Sequence, residues 1–338
     1  MRRKKLKIVW ITVLIAGIII VGIGNINSKA KGIEPMVLKL GHVVPTSHPY
    51  HLGAVKFKEL IEKRTKGKIK IEIYPAGQLT PGERSLIEQM QLGLCDLTVT
   101  ATGPVSGFME NMMVVDLPFL FRSYEHAHNV LDGIVGDELL EQLKEVGIKG
   151  LAFWENGFRN ITNSVRPINS VNDLRGLKIR TMENPVHLDS FKDLGANPTP
   201  MSWPIYTELQ TGVIDGQENP LPIIYAYKFW EVQKYLAISE HFYSPAPILM
   251  NLKRYNSLPL ETQKIFLSTA KEVAHYERAL IKEQEKKYTK IMKKYFKEVT
   301  YPPRKEFREA VEPVYNKWLS RHSDWKRWIE IIKETEQE

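Results

Sequence analysis

Two arginines, Arg159 and Arg180, have the residue type and setting expected of an anion-binding site. Arg180 ends residues 173–180, which read DLRGLKIR. In this run Asp173 is predicted to cap a short helical turn, and Gly176 to end it in the left-handed conformation before a strand begins. The strand delivers Arg180 at its carboxyl end, the edge of an open α/β sheet where ligands bind. A guanidinium there offers a planar fork for a carboxylate or phosphate, so the sequence predicts a receptor for a small anion.

Alternating strand and helix patterns open the chain before this region. Residues 37–40 and 68–73 alternate apolar and polar side chains with period two, as in a half-buried strand. Between them, apolar residues recur at helical spacing over residues 54–61. A β-α-β opening of this kind predicts a parallel sheet and an α/β fold.

A seven-residue pattern occurs twice in the chain. Residues 90–96 read MQLGLCD and residues 209–215 read LQTGVID. In both, a helix is predicted to end at a glycine and a short strand to begin at once. The repeat favours two lobes built alike, each with helix ends facing a shared cleft, with chance similarity as the alternative.

The amino terminus has the composition of an export signal. Five basic residues within the first seven precede an uncharged apolar run at residues 8–24, which matches the n-region and h-region of such a signal. Residues 1–30 are predicted to be either a cleaved signal peptide, with residues 28–30 as a weak cleavage site, or an uncleaved signal anchor. In either case we expect the folded part outside the cytoplasm, in the periplasm or tethered to the outer face of the membrane.

The basic composition belongs mainly to this leader. Residues 1–30 hold six Lys or Arg and no acidic residue, so setting them aside lowers the formal net charge from +8 to +2. A net charge this small does not indicate a nucleic-acid-binding protein. The roughly 300 remaining residues are more than a single hydrophobic core usually serves, which suggests two lobes. Cys95 is the only cysteine, which excludes an intrachain disulfide, and its apolar surroundings predict a buried side chain.

Three further runs carry a family resemblance: NPTPMSW at 197–203, LQTG at 209–212 and DGQENP at 215–220. With them, the chain from Leu38 to about Trp318 resembles the solute-binding proteins of tripartite ATP-independent periplasmic (TRAP) transporters, the DctP-like family. The resemblance implies an α/β, two-lobed periplasmic-binding-protein (Venus-flytrap) fold. It also implies capture of a small organic acid, of the C4-dicarboxylate or sugar-acid type, for an ion-driven membrane permease.

The resemblance further implies discontinuous lobes, because receptors of this kind exchange strands between lobes. Lobe I is expected to take residues 36–156 plus 245–285, and lobe II residues 157–244 plus 286–338. In the family a long helix braces both lobes, and residues 260–299 are charged and rich in helix formers.

Ligand contacts in the second lobe follow from the same resemblance. Arg180 matches the family's carboxylate-binding arginine, with an ordinary surface arginine as the alternative. Arg159 matches a second ligand-facing arginine, or else forms a structural pair with a neighbouring acid. Asn219 matches a position that contacts the carboxylate or orients Arg180, or else is a turn asparagine. Trp203 matches an aromatic pocket wall, or else packs in the core.

In the first lobe, His42, Glu83 and Thr102 align with regions that line the cleft. A glutamate that faces an anionic ligand repels it unless the glutamate bonds to ligand hydroxyl groups. Glu83 as a ligand contact therefore favours a hydroxylated acid, such as a sugar acid, over a plain dicarboxylate.

Signatures of common enzymes do not occur in the sequence: there is no H-E-x-x-H, G-x-S-x-G, P-loop or Rossmann glycine triplet. We therefore expect a binding protein with no enzymatic activity and no cofactor. His126 and His128 lie two apart and would point to different faces of a helix, so no metal site is expected, and the receptor is expected to be monomeric. The alternative is a receptor of the same fold that presents its ligand to a membrane sensor kinase or chemoreceptor. A secreted hydrolase on this fold is the third hypothesis.

Overall fold

The computed structural model describes residues 33–335, and the predicted leader lies outside the described residues. The strands are β1 (Met36–Gly41), β2 (Ile69–Tyr74), β3 (Leu97–Val99), β4 (Ile148–Asn163), β5 (Lys178–Thr181), β6 (Asn197–Pro200), β7 (Gly216–Pro220), β8 (Tyr235–Asn251) and β9 (Glu298–Thr300). The α-helices are α1 (Pro49–Arg64), α2 (Glu83–Gln91), α3 (Thr102–Val105), α4 (Tyr124–Leu131), α5 (Ile134–Gln142), α6 (Pro185–Asp193), α7 (Tyr206–Thr211), α8 (Leu221–Ala226), α9 (Leu252–Ser257), α10 (Leu260–Ile291), α11 (Arg304–Ala310), α12 (Glu312–Arg321) and α13 (Trp325–Thr335). The predicted α/β class is confirmed.

The described strands form one nine-stranded sheet with two similar halves. The order is β2-β1-β3-β8-β4-β7-β5-β6, and β9 pairs with β8. β1 runs parallel to β2 and β3, as β5 does to β6 and β7. β3 lies antiparallel to β8, and β7 lies antiparallel to β4. Each half therefore has three parallel strands next to one long antiparallel strand.

The repeated seven-residue pattern occupies equivalent places in these halves. In each copy the helix ends at a glycine with positive φ, 78° in the first and 73° in the second, a conformation that favours glycine. Asp96 Oδ2 then accepts a hydrogen bond from the backbone N–H of Lys39 (2.9 Å), as Asp215 Oδ2 does from that of Lys178 (2.8 Å). Each aspartate ties its loop to the central parallel strand of its half. The two halves of the sheet are thus built on the same plan, as the repeat predicts.

Strands β4 and β8 join the two halves. They pair antiparallel from Ile148 opposite Asn251 to Asn163 opposite Tyr235. One of three irregularities in their register lies at Gly157, whose φ of +110° is strained for any other residue. The predicted lobe boundaries, near residues 156 and 245, fall beside this bulge and remain a prediction.

Two apolar cores cover the opposite faces of the sheet. Neighbouring residues of one strand alternate between them, so that Phe153 belongs to one core and Trp154 to the other. Cys95 is fully buried, as predicted. No helix within residues 33–335 is both long enough and apolar enough to span a membrane.

The predicted long bracing helix is α10. It packs against α1, β4 and α8, and so contacts both halves of the sheet. The segment rich in helix formers extends to residue 299, but α10 ends at Ile291 and β9 follows after a short turn. Val299 pairs with Leu236 of β8. The hydrogen bonds between β9 and β8 outweigh the helical propensity of this charged segment.

The turn that precedes β5 differs from the prediction in its cap. Ser170 caps the 3-10 turn Val171–Leu174, and Asp173 completes a capping box from the third position of the turn. Gly176 has the predicted positive φ of 76°, and Arg180 is the third residue of β5.

Candidate ligand-binding site

A cavity lies at the junction of the two halves of the sheet. Its volume is about 30 Å³, which is below the range for small-molecule sites. Five of the seven predicted contact residues line it: Glu83, Arg159, Arg180, Trp203 and Asn219. The other lining residues are Val43, Val44, Tyr50, Ala101, Asn156, Met182 and Ile223.

Arg180 places a buried cation in this cavity. Its side chain is 3% exposed, and its Nε donates a hydrogen bond to the backbone oxygen of Met201 (2.8 Å). Its Cζ lies 5.9 Å from the ring centre of Trp203, within cation–π range. Neither terminal nitrogen has a hydrogen-bond or ion-pair partner among residues 33–335. Burial lowers the pKa of Arg180 to about 10, so the guanidinium stays charged at neutral pH and is available to an anion.

Arg159 is a second buried arginine, but its charge is already paired. Its Nε donates to Glu218 Oε2, and its Nη2 donates to Glu218 Oε1 (2.8 Å) and to the backbone oxygen of Glu218 (2.6 Å). Burial alone would raise the pKa of Glu218, but the charge of Arg159, with His241 nearby, holds that pKa well below its usual range. Arg159 therefore both lines the cavity and forms the structural pair that was the alternative reading of this residue.

Asn219 is fixed by hydrogen bonds within its own half of the sheet. Its Oδ1 accepts from Arg159 Nη2 (3.2 Å), and its Nδ2 donates to Gln217 Oε1 (2.5 Å). Gln217 in turn donates to Thr162 Oγ1 on the neighbouring strand (2.9 Å). Among the described residues, Asn219 thus orients Arg159 rather than Arg180.

Trp203 forms an aromatic wall beside Arg180. The side chain is half-buried, and its Nε1 donates to the Tyr227 hydroxyl (3.2 Å), which donates to the backbone oxygen of Val43 (2.8 Å). Val43 follows β1 and Trp203 follows β6, so this chain of hydrogen bonds connects the two halves of the sheet at the cavity.

Glu83 begins α2 and faces the cavity from the first half. Its Oε1 accepts hydrogen bonds from Thr100 Oγ1 (3.0 Å) and from the backbone N–H of Ala101 (3.3 Å). Burial raises the pKa of Glu83, although these hydrogen bonds and the charge of Arg180 oppose the shift. The second oxygen, Oε2, has no protein partner among residues 33–335 and can accept a hydrogen bond from a ligand hydroxyl.

The fold and this arginine-containing cavity agree with one family of proteins. The profile described as "Bacterial extracellular solute-binding protein, family 7" (DctP) matches residues 40–321. The chain belongs to this family. Family 7 proteins are the extracytoplasmic solute-binding components of TRAP transporters, so this receptor acts outside the cytoplasm, and its family works with membrane permeases on small organic acids.

Named relatives of this family 7 receptor span several ligands. The 2,3-diketo-L-gulonate-binding periplasmic protein YiaO of Escherichia coli is 37% identical over 309 residues, covering 91% of this chain and 92% of the relative. The C4-dicarboxylate-binding periplasmic protein DctP of Rhodobacter capsulatus is 35% identical over 296 residues, covering 85% and 88%. A TRAP periplasmic solute-binding protein from Polaromonas sp. JS666, bound to D-erythronate, is 40% identical with a TM-score of 0.84, covering 88% and 98%.

Two predicted contacts of this receptor do not line the cavity. His42 is fully buried, with its Nε2 3.1 Å from His51 Nδ1. Burial and the neighbouring His51 lower the pKa of His42 to about 3, so the ring is neutral. Thr102 is also fully buried and donates to Asp116 Oδ1 (2.6 Å). A ligand contact by either residue remains a prediction.

Several residues of the receptor's site have no sequence signal of their own. Tyr50 and Asn156 line the cavity, and the Tyr50 hydroxyl and Asn156 Oδ1 are buried without a hydrogen-bond partner in residues 33–335. Buried polar atoms are usually paired, so both are available to a ligand. Glu218 lies in the DGQENP run, but its partner depends on the pairing of β7 with β4, which local sequence does not reveal.

Within residues 33–335, no three acidic, histidine or cysteine side chains are grouped so that they could hold a metal ion.

Proposed function

We propose that this family 7 receptor captures a small hydroxylated organic acid and delivers it to an ion-driven TRAP permease. The observation that carries the proposal is the guanidinium of Arg180, which is buried, charged and unpaired at both terminal nitrogens. A carboxylate can accept two parallel hydrogen bonds from these nitrogens. The apolar face of the same ligand fits against Trp203, which stands beside Arg180.

Hydroxyl groups on the ligand are favoured by other polar atoms that line the cavity with Arg180. Glu83 Oε2 and Asn156 Oδ1 are acceptors, and the Tyr50 hydroxyl is a donor. A plain hydrocarbon chain would leave these buried groups unpaired, at a cost of about 1–3 kcal/mol each. Sugar acids carry the hydroxyl groups that satisfy them, as do the ligands named for the E. coli and Polaromonas relatives.

Ligand capture is expected to close the two lobes around the cavity, whose walls come from both halves of the sheet. Of the proposed boundaries, those at 156/157 and 244/245 lie in β4 and β8, and the one at 285/286 lies in α10. We also propose that the receptor works as a monomer and releases its ligand chemically unchanged.

A thermal-shift screen of residues 31–338 against sugar acids, C4-dicarboxylates and 2-oxoacids tests the proposal. A sugar acid at 100 times its Kd should stabilise the fold by about 2.7 kcal/mol. The same concentration of acid should stabilise Arg180→Ala by at most about 0.4 kcal/mol, while the recovered ligand should be intact by mass spectrometry. A screen in which no acid shifts the melting temperature, or in which the acid is consumed, contradicts the proposal.

A further inference from the structure

The end of α10 and the segment that follows it carry a dense basic surface. Residues 286–297 contain six lysines and no acidic residue, and all six side chains are exposed. These residues, here called the lysine strip, are Lys286, Lys287, Lys290, Lys293, Lys294 and Lys297. At 3.6 residues per turn, the five from 286 to 294 lie within about 120° of the helix surface, so they form one solvent-facing stripe.

The lysine strip has no compensating acid in the protein. None of its six ammonium groups forms an ion pair with any of residues 33–335. Lys286 and Lys290, like Lys290 and Lys294, are four residues apart, a spacing at which like charges destabilise a helix. The helix dipole favours a cation in the last turn of α10, where Lys290 lies, and does not account for the others.

The strip also makes the charge of the molecule uneven. Residues 31–338 have a formal net charge of +2, and removing these six lysines from that total leaves −4. The lysine strip is therefore a positive patch on an otherwise acidic protein. A charge distribution of this kind attracts the patch towards an anionic surface and orients the protein there.

Aromatic side chains lie beside the lysine strip. Tyr295 stacks on the half-buried Trp230 with ring centres 4.5 Å apart, and Lys293 Nζ lies 5.6 Å from the ring centre of Tyr301. Tyr295 is 42% exposed and Tyr301 54%. Tyrosine and tryptophan suit a membrane–water interface, because one end of each ring system is apolar and the other is polar. Lysines next to such rings are typical of proteins that lie on an anionic bilayer.

We infer that the lysine strip and its aromatic neighbours bind the anionic outer surface of the cytoplasmic membrane and hold the receptor close to a membrane permease. This interaction goes beyond ligand capture and is independent of which acid the cavity binds. A protein partner fits the strip less well, since lysine is depleted at protein–protein interfaces. Lipid phosphates need no fixed geometry, which suits flexible ammonium groups that have no partner in the fold.

Vesicle co-sedimentation of residues 31–338 tests the inference without the apolar run at residues 8–24, which can itself enter a bilayer. This part of the chain contains the whole nine-stranded sheet and both apolar cores. Vesicles of about 70% phosphatidylcholine and about 30% phosphatidylglycerol should bind it at low salt at least about tenfold more strongly than vesicles of phosphatidylcholine alone. Salt at about 0.5 M should release the protein, because it screens exposed charges.

A triple variant with Lys286→Gln, Lys290→Gln and Lys293→Gln locates the binding surface. Each lysine near an anionic surface adds its own attraction, so the variant should bind the phosphatidylglycerol vesicles at least about tenfold more weakly than the parent. A control removes the same charge from three exposed lysines on α6, α9 and α13, and should bind within about threefold of the parent. Its substitutions are Lys192→Gln, Lys253→Gln and Lys326→Gln.

Circular dichroism establishes that both variants are folded, and if one is not, the lipid and salt comparisons of the parent decide the question. Equal sedimentation with the two kinds of vesicle, or a triple variant that binds as the control does, overturns the inference. A receptor that binds a permease but neither kind of vesicle also overturns it, since a protein contact then accounts for the strip. None of these outcomes bears on organic-acid capture, which the thermal-shift screen tests separately.

Discussion

At the scale of single residues, the two cavity arginines have different tasks. Arg159 is bonded to Glu218 and Asn219, so its position is fixed before any ligand arrives. Arg180 is held by one hydrogen bond through Nε, and its remaining nitrogens face the cavity. The first arginine shapes the wall of the site, and the second is the group that an incoming carboxylate can bind.

Replacing Arg180 with alanine should weaken ligand binding by at least roughly a hundredfold. Breaking a buried ion pair typically costs about 3–5 kcal/mol, and each 1.4 kcal/mol corresponds to tenfold in affinity. Arg180→Lys should recover part of the loss, because an ammonium keeps the charge without the two-point contact. Titration calorimetry on the ligand found in the acid screen measures both effects.

A matched control for this prediction is Lys178→Ala. Lys178 lies on the same strand, but its side chain is exposed, so its removal should leave affinity unchanged. An Arg180→Ala protein that binds within about threefold of the parent would remove Arg180 from the site.

Sequence identified Arg180 because a turn, a glycine and a strand edge all lie within one short run. Glu218 was not predicted as the partner of Arg159, because the two residues are far apart in the chain and meet only when β7 pairs with β4. His42 lies at the expected strand end, yet Val43 and Val44 take its place at the cavity. Successive side chains of a strand point to opposite faces. A resemblance that matches only the region of a strand end therefore does not tell which of its residues faces the cavity.

At the scale of elements, a buried contact links the 3-10 turn Glu110–Asp116 to the start of α6. Asp116 Oδ1 accepts from Thr102, and Oδ2 accepts from Asn184 Nδ2 (2.7 Å). Asn184 follows β5 in the second half of the sheet, whereas Asp116 belongs to the first. Burial raises the pKa of Asp116 to about 7, against the opposing hydrogen bond from Thr102 and the charge of Arg159.

Ligand affinity should therefore fall as pH rises from about 5 to 7 and level off above that range. If the lobes part in the open form, Asp116 regains water and its ordinary pKa near 3.8. Between pH 3.8 and about 7 the closed form then binds more protons than the open form. Low pH therefore favours closure, and this contribution to closure is lost as the pH rises through about 7. The slope can reach at most about tenfold in Kd per pH unit.

Calorimetry between pH 5 and 8 with the parent and with Asp116→Asn measures this dependence. Glu83, whose pKa burial also raises, titrates in the same direction, so the variant is needed to isolate the part due to Asp116. An affinity that increases with pH, or an equal slope in the folded variant, would contradict the prediction.

Helix α10 stabilises the fold without touching the cavity. Phe266 of this helix is fully buried against Phe57 of α1, with ring centres 5.8 Å apart. Phe266→Ala should lower the free energy of unfolding by about 3–5 kcal/mol and leave ligand affinity in the folded protein nearly unchanged. Chemical denaturation with calorimetry tests both parts, and Tyr276→Ala, at an exposed position of the same helix, is the control. A large loss of affinity at full stability would show that α10 acts on the site.

The existence of α10 was predictable from helix formers and the scarcity of breakers, but its end was not. Residues 292–300 have the same charged composition as the helix before them. They are not helical, because β9 pairs with β8, which lies far away in the sequence. Local propensity is a weak guide where such pairing competes with it.

At the scale of the whole molecule, two halves of equal plan share one cavity, and β4 and β8 are the strands that pass between them. A saturating ligand should therefore reduce the radius of gyration measured by small-angle X-ray scattering, because closure brings the halves together. Arg180→Ala, given the same acid, should keep the larger value. The molecular mass obtained from the same scattering data should be that of one chain. Identical profiles with and without ligand, when binding is independently established, would exclude hinge closure.

The order of the sheet also governs when the chain can fold. Leu97 in β3 pairs with Met250 in β8, so the first half of the sheet lacks its flanking strand until residues far along the chain have been synthesised. The amino-terminal half thus cannot complete a stable unit while it emerges from the ribosome, and the halves should melt together in a single transition. For a protein that works outside the cytoplasm, we expect this late closure to help keep the nascent polypeptide unfolded and competent for translocation.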